Sequence, residues 1–254
     1  MRHFFAIIIL LLGGISNAQQ VGNAAPQMGA VENDPFANYH QRWNPRMQEL
    51  FQKVKNDGET VSYYVGAEVG SAFETEDFNK GRVFYKDEDL GEFYYRYNIF
   101  SKEIEVKNTL LKEEKHKALI KDPNVLLIPS QGMRKYRFLP FINEKGEKDE
   151  GYLIALFEGN SYTLYKFLEV KFSEAKAAAN SMVNPKPSKF TRFTTFYYRN
   201  GDGEILELPT KKNKLLAAFK NTESSILKNY IKEEKTNFKE EKDLIRLVAF
   251  IDQQ

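Results

Sequence analysis

Glu103 and Glu105 are the residues in this sequence whose type and spacing come closest to chemistry. They stand two apart in Glu-Ile-Glu-Val-Lys, so on a strand both carboxylates project from one face. Paired carboxylates can hold a hard cation or divide acid and base roles. Arg96, Asn98, Lys102 and Lys107 lie close by and offer a plainer use, charge pairing on a solvated strand face. We therefore read Arg96, Asn98, Glu103 and Glu105 as one polar surface patch held by structural pairing rather than as a catalytic centre. Two further acidic clusters, Glu74-Glu76-Asp77 and Asp87-Glu88-Asp89, lack the glycine and spacing of an EF-hand loop and read as loop acidity.

Other chemistries fail on counting. The chain has no cysteine and three histidines. His3 precedes the first apolar run, and His40 and His116 have no histidine partner within helical or strand reach. No zinc-binding His-Glu-Xaa-Xaa-His, zinc knuckle or cysteine-histidine nucleophile can be built. Ser71 follows Gly70 and Ser130 precedes Gln131-Gly132, but neither sits in Gly-Xaa-Ser-Xaa-Gly. Gly201-Asp202-Gly203 falls between two strand-like runs, not between a strand and a helix as a phosphate loop requires. No cofactor or metal is expected. With 37 basic against 35 acidic residues there is no field to recruit nucleic acid. Lys211, Lys212, Lys214, Lys228, Lys232 and Lys235 alternate with Glu233, Glu234, Glu240 and Glu241, which suits a solvated helix face.

The element that must position the patch is a hairpin. Phe93, Tyr95, Tyr97 and Ile99 alternate with Tyr94, Arg96 and Asn98, and the alternation resumes with Ile104 and Val106 against Glu103, Glu105 and Lys107. The apolar positions are odd before the break and even after it. Facing residues share a side of the sheet, so an even-numbered loop is required. A two-residue loop of Ser101 and Lys102 puts Ile99 opposite Ile104, Tyr97 opposite Val106 and Asn98 opposite Glu105, with Arg96 diagonal to Glu105.

Around this hairpin, strands are expected from Val61 to Val65 and over 81–86, 125–129, 135–142, 152–158 and 161–172. A bulge is expected in the last of these, where Tyr162, Leu164, Phe167 and Val170 break parity. Residues 87–91 read as a turn, 109–122 as a charged loop or short helix, and 175–182 as one or two helical turns. A final hairpin, 190–199 with 203–208, turns at Asn200-Gly201-Asp202-Gly203. Beyond Pro209 the period becomes helical: Leu215, Leu216 and Phe219; Ile226, Leu227, Tyr230 and Ile231; Leu244, Ile245, Leu247, Val248 and Ile251. Thr222 is an expected N-cap, and Glu240-Glu241 suit a first turn. Strands first and helices last argue an α+β fold with a mainly antiparallel sheet and a C-terminal helical segment.

The start of the chain gives an address. Met1-Arg2-His3 is basic, 4–12 is apolar, and Ser16-Asn17-Ala18 is shaped for signal peptidase. We expect a signal peptide over 1–18 cleaved after Ala18, then a flexible leader over 19–44. A β-rich domain follows over 45–208, opening with a short helix at 45–54, and the helices occupy 209–254. The apolar run is shorter than the roughly 20 residues that span a bilayer, and no later run qualifies, so no transmembrane segment is expected in the mature chain.

Phe-Xaa-Xaa-Gly-Arg-Val-Phe-Tyr, Arg-Tyr-Asn-Ile, Glu-Ile-Glu-Val and, later, Phe-Tyr-Tyr-Arg-Asn-Gly-Asp-Gly-Glu with Lys-Asp-Leu-Ile-Arg-Leu resemble uncharacterised secreted proteins of Bacteroidota. The resemblance runs from Val61 to Ile251 and implies export without implying an activity. The expectation is a secreted non-enzymatic binding or assembly module in the periplasm or at the cell surface, with an envelope protein or surface glycan as partner. A carboxylate-based periplasmic hydrolase and a carrier holding an apolar ligand between sheet and helices are the alternatives.

Overall fold

The computed structural model describes residues 69–132, 134–178, 182, 184–219 and 224–254. The expected signal peptide, leader, helix 45–54, strand from Val61 and cap at Thr222 lie outside the described residues. The fold is mainly β, with 45% of it in strands and 16% in three helices, the last at the C-terminus.

The strands are β1 (Asn79–Tyr85), β2 (Glu88–Asn98), β3 (Glu103–Lys107), β4 (Lys117–Ala118), β5 (Val125–Pro129), β6 (Lys135–Ile142), β7 (Lys148–Glu158), β8 (Tyr162–Ser173), β9 (Lys189–Asn200) and β10 (Leu206–Glu207). They form one sheet in the order β10-β9-β8-β7-β6-β5-β1-β2-β3-β4, with every neighbouring pair antiparallel. Leu206 of β10 also pairs in parallel with Ile142 of β6. That second pairing closes β6, β7, β8, β9 and β10 into a ring. Strand side chains alternate, so one side of each of these strands points into the ring and the other points out.

Phe141, Leu153, Ala155, Tyr165, Phe167, Tyr197 and Ile205 fill the interior. The Phe141 ring lies 4.8 Å from Phe167 and 4.6 Å from Tyr197, centroid to centroid. A Cβ on Gly151 would come within 2.7 Å of the Phe167 ring, so this position admits only glycine without repacking. On the outer side, Tyr162, Leu164, Phe196 and Tyr198 carry α1 (Lys212–Ala218), α2 (Ser224–Glu233) and α3 (Glu241–Asp252). The helical stripes supply Leu215, Leu216, Phe219, Leu227, Ile231, Leu244, Leu247, Val248 and Ile251 to that contact, while Ile226 faces solvent. Asp252 at the end of α3 accepts hydrogen bonds from the amides of Asn160 (2.8 Å), Ser161 (2.7 Å) and Tyr162 (2.7 Å), tying the helix to the turn between β7 and β8.

The remaining strands curl back over the ring. β2 and β7 are four ladder steps apart, roughly 19 Å on a flat sheet at about 4.8 Å per step. The rings of Tyr97 on β2 and Tyr152 on β7 nevertheless meet edge to face at 5.7 Å. Tyr95, Tyr97, Tyr136, Phe138 and Tyr152 are buried inside this curl.

Several expectations are corrected. The turn before β2 consists of Lys86 and Asp87 alone, both at positive φ (47° and 68°), and Glu88 already begins the strand. The bulge falls in β7, where Leu156 is the extra residue between Ala155 and Phe157, whereas β8 keeps register with β9 from Tyr162 to Ser173. The loop between β6 and β7 spans only 143–147, since β7 already starts at Lys148. Residues 175–178 are not helical: Lys176 pairs with Lys186 in an isolated bridge. Of the two alternatives for 109–122 the loop is the one observed, with the short edge strand β4 inside it.

The hairpin loop is even-numbered, but it has four residues rather than two. Tyr97 opposes Ile104, Arg96 opposes Glu105 and Asn98 opposes Glu103. The Ile99 amide donates to the Ala72 carbonyl (2.8 Å), and Phe73 bridges to Asn98, so Ile99 is drawn to another segment instead of to Ile104. The Asn98 side chain accepts from the Ser101 amide (3.1 Å), and Lys102 alone takes a left-handed φ of 55°. Slipping by two residues leaves parity untouched, so Ile104, Val106 and the odd residues of β2 still share the buried side.

Candidate functional site

The polar patch is not a solvated face. Glu105 is 3% exposed. Its Oε2 accepts from Arg96 Nε (3.0 Å) and Nη2 (2.6 Å), and its Oε1 accepts from Asn98 Nδ2 (3.1 Å). His116 Nε2 lies 3.8 Å from the same Oε1. The Arg96 guanidinium stacks between Phe73 and Phe78, 3.8 Å and 4.6 Å from the ring centroids, and Nη1 donates to the Glu76 carbonyl (3.1 Å). Glu103 shares the strand, but its carboxylate joins no hydrogen bond or ion pair among the described residues. The carboxylate pair expected from spacing is therefore split. One member is locked by donors and the other stands apart, so the two do not converge on a reacting atom. What the patch does is mechanical: Arg96 and Glu105 clamp the segment from Phe73 to Phe78 onto the sheet.

That clamped segment forms one wall of a cleft of about 550 Å³. Its aromatic surface comes from Phe78, Tyr94, Tyr95, Tyr97 and Tyr136, and its polar groups from Glu74, Asn79, Lys80, Ser130, Gln131 and Arg134. β1 and β2 present these residues from one side, and the end of β5 with the start of β6 from the other. Tyr136 donates its hydroxyl proton to Glu74 Oε2 (2.8 Å), and the Tyr95 and Tyr136 rings meet at 5.8 Å, centroid to centroid. Burial raises the pKa of both tyrosines, and the negative charge of Glu74 raises it further. Both stay protonated through the physiological range and serve as hydrogen-bonding groups. Tyr97 is raised by burial as well, and its buried hydroxyl has no partner among the described residues. A buried hydroxyl left in this state calls for an explanation, and this one borders the cleft.

Arg134 connects the cleft to the helices. It lies 3.8 Å from Glu74 and 3.0 Å from Glu241 in the first turn of α3, and Glu241 also receives Lys166 at 2.8 Å. Burial pushes the Glu241 carboxyl up, but Lys166 and Arg134 outweigh it and hold the group below the ordinary glutamate range.

The sequence reading missed Glu74, Tyr95 and Tyr136 as site residues. In sequence Glu74 reads as an ordinary loop acid, yet its side chain is only 14% exposed and lines the cleft. Glu74 and Tyr136 are 62 residues apart, so no local spacing announces them. The only available signal was the excess of tyrosines on one strand parity. No group of three or more His, Asp or Glu able to hold a metal occurs among the described residues. No helix among them is long and apolar enough to cross a membrane.

When the chain is compared with protein-family models, with curated proteins and with solved structures, none of them matches.

Proposed function

We propose that this chain is an exported, non-enzymatic binding module whose ligand, a surface glycan, occupies the aromatic cleft. The observation that carries the reading is the lining itself: among the described residues, five aromatic rings, a set of hydrogen-bonding side chains and a single carboxylate, Glu74. Sugar rings present apolar C–H faces and polar hydroxyl rims. Tyrosine and phenylalanine supply flat apolar surface for the first, and tyrosine, Asn79, Ser130, Gln131 and Arg134 supply donors and acceptors for the second. A ligand hydroxyl reaching the floor would give the Tyr97 hydroxyl its partner. The resemblance to secreted proteins of Bacteroidota and the signal-like first 18 residues support export to the periplasm or cell surface. The helices follow the strands in sequence and cover one side of an antiparallel sheet, so we group the architecture as α+β.

The alternatives draw less support. A hydrolase of the paired-carboxylate type needs a second acid beside Glu74, and none lines the cleft among the described residues. A carrier with its ligand between sheet and helices would need the space that Phe219, Leu227, Leu244 and Val248 fill against the ring.

The full chain should be retained on a subset of an oligosaccharide array and released by the free sugar. Tyr94→Ala should weaken that binding by about tenfold or more, since Tyr94 is half-buried at the cleft and its ring is not part of the inner core. No new reducing ends should appear on prolonged incubation. Release of shortened sugars would move the protein to the enzymes, and failure to retain any glycan would end the reading.

A further inference from the structure

A second cavity, of about 260 Å³, opens where β10 meets β6 at the mouth of the ring. Leu139, Phe141, Ile142 and Ile205 form its apolar wall. Lys148 and Glu204 stand at its rim, 3.4 Å apart and largely exposed, so their charges offset each other. The remaining charge is Arg199. It follows Tyr197 by two residues on β9, which places it on the same inward side as a ring already packed against Phe141 and Phe167. Its Nε is buried without a hydrogen-bond partner, and the side chain forms no ion pair among the described residues. Arg199 as a whole is half-buried, but a buried donor left without an acceptor is costly, and its Nε is in that state. The lining thus combines a guanidinium nitrogen that lacks an acceptor with a hydrocarbon wall.

We propose that this mouth is a binding site for a small monocarboxylate with an aliphatic or aromatic body. The guanidinium fork matches a carboxylate in plane and can engage both oxygens, which favours a carboxylate over a spherical anion. The hydrocarbon body lies against Leu139, Phe141, Ile142 and Ile205. Mouths of closed β structures are recurrent ligand positions. The volume falls below the roughly 300–1,000 Å³ of sites for drug-sized ligands, which excludes a long-chain lipid and suits molecules the size of phenylacetate or hexanoate. The mouth shares no lining residue with the aromatic cleft, so the two proposals stand or fall separately.

The test titrates the full chain by calorimetry with phenylacetate, with its neutral counterpart 2-phenylethanol and with inorganic phosphate. Phenylacetate should bind saturably, the alcohol at least about tenfold more weakly, and phosphate without saturation below about 10 mM. Arg199→Gln should remove the preference for the acid while its melting temperature reports that the fold is kept. Equal affinity for acid and alcohol, unchanged affinity in Arg199→Gln, phosphate binding as tight as phenylacetate, or no saturable binding of phenylacetate would each overturn the proposal. If Arg199→Gln does not fold, the comparison of acid with alcohol on the unaltered chain decides alone.

Discussion

Glu105 carries its charge to a place where 3% of its surface meets solvent, and both oxygens there have donors. Removing a buried charge from water is unfavourable, and here a two-pronged contact with Arg96 and a bond from Asn98 offset that cost. The pair is asymmetric to perturbation. Truncating Glu105 leaves the Arg96 guanidinium between two phenyl rings with its strongest partner gone. Glu105→Ala should lower stability by roughly 3–5 kcal/mol, read by denaturant unfolding. A loss below about 1 kcal/mol would class the contact with exposed pairs instead. Strand parity was enough to place Glu105 opposite the apolar side. Its burial was not legible, because the covering rings, Phe73 and Phe78, come from a segment with no periodicity of its own.

Helix α3 shows what an element can and cannot declare in sequence. Leu244, Leu247, Val248 and Ile251 recur at helical spacing, and all four are buried against the ring. Leu244→Ala should cost about 2–5 kcal/mol in the same unfolding measurement, and a much smaller loss would mean that the helix docks loosely. Strand β10 is the opposite case. Leu206-Glu207 is too short to carry a period, yet its pairing with both β9 and β6 closes the ring. The displaced bulge has a related cause. Broken parity along β8 signals that two strands fall out of step, but the extra residue that absorbs the step, Leu156, sits in the partner strand.

For the whole molecule, a mainly antiparallel sheet with helices at its C-terminal end was readable, while closure and convergence were not. Alternation told which residues of the central hairpin face inward. It did not tell that the inward side would curl until Tyr97 met Tyr152, because curvature depends on what lies several strands away. The cleft illustrates the same limit. Its residues come from three separate stretches, 74–80, 94–97 and 129–136, and only the curl makes them neighbours. Glu103 and Glu105 drew attention as a pair because proximity in sequence is visible. Glu74 and Tyr136 did not, because their proximity exists only in three dimensions.

Asp252 holds three amides that belong to a turn some 90 residues earlier, and Gly159 leaves the space for its carboxylate to enter. Partial burial pushes this carboxyl up, and the three amide bonds together outweigh it, keeping the group below the ordinary aspartate range. A depressed folded-state pKa means that the contact stabilises above the unfolded value near 4 and is lost as the pH falls through the folded value. The amides of Asn160, Ser161 and Tyr162 therefore act as reporters of whether α3 is docked. Their hydrogen-exchange protection should be high at neutral pH and should fall on acidification before that of ring strands such as β8 and β9. If protection vanished from all of these amides together, α3 and the ring would open as one cooperative unit, and the turn would report global unfolding instead of the undocking of a single helix.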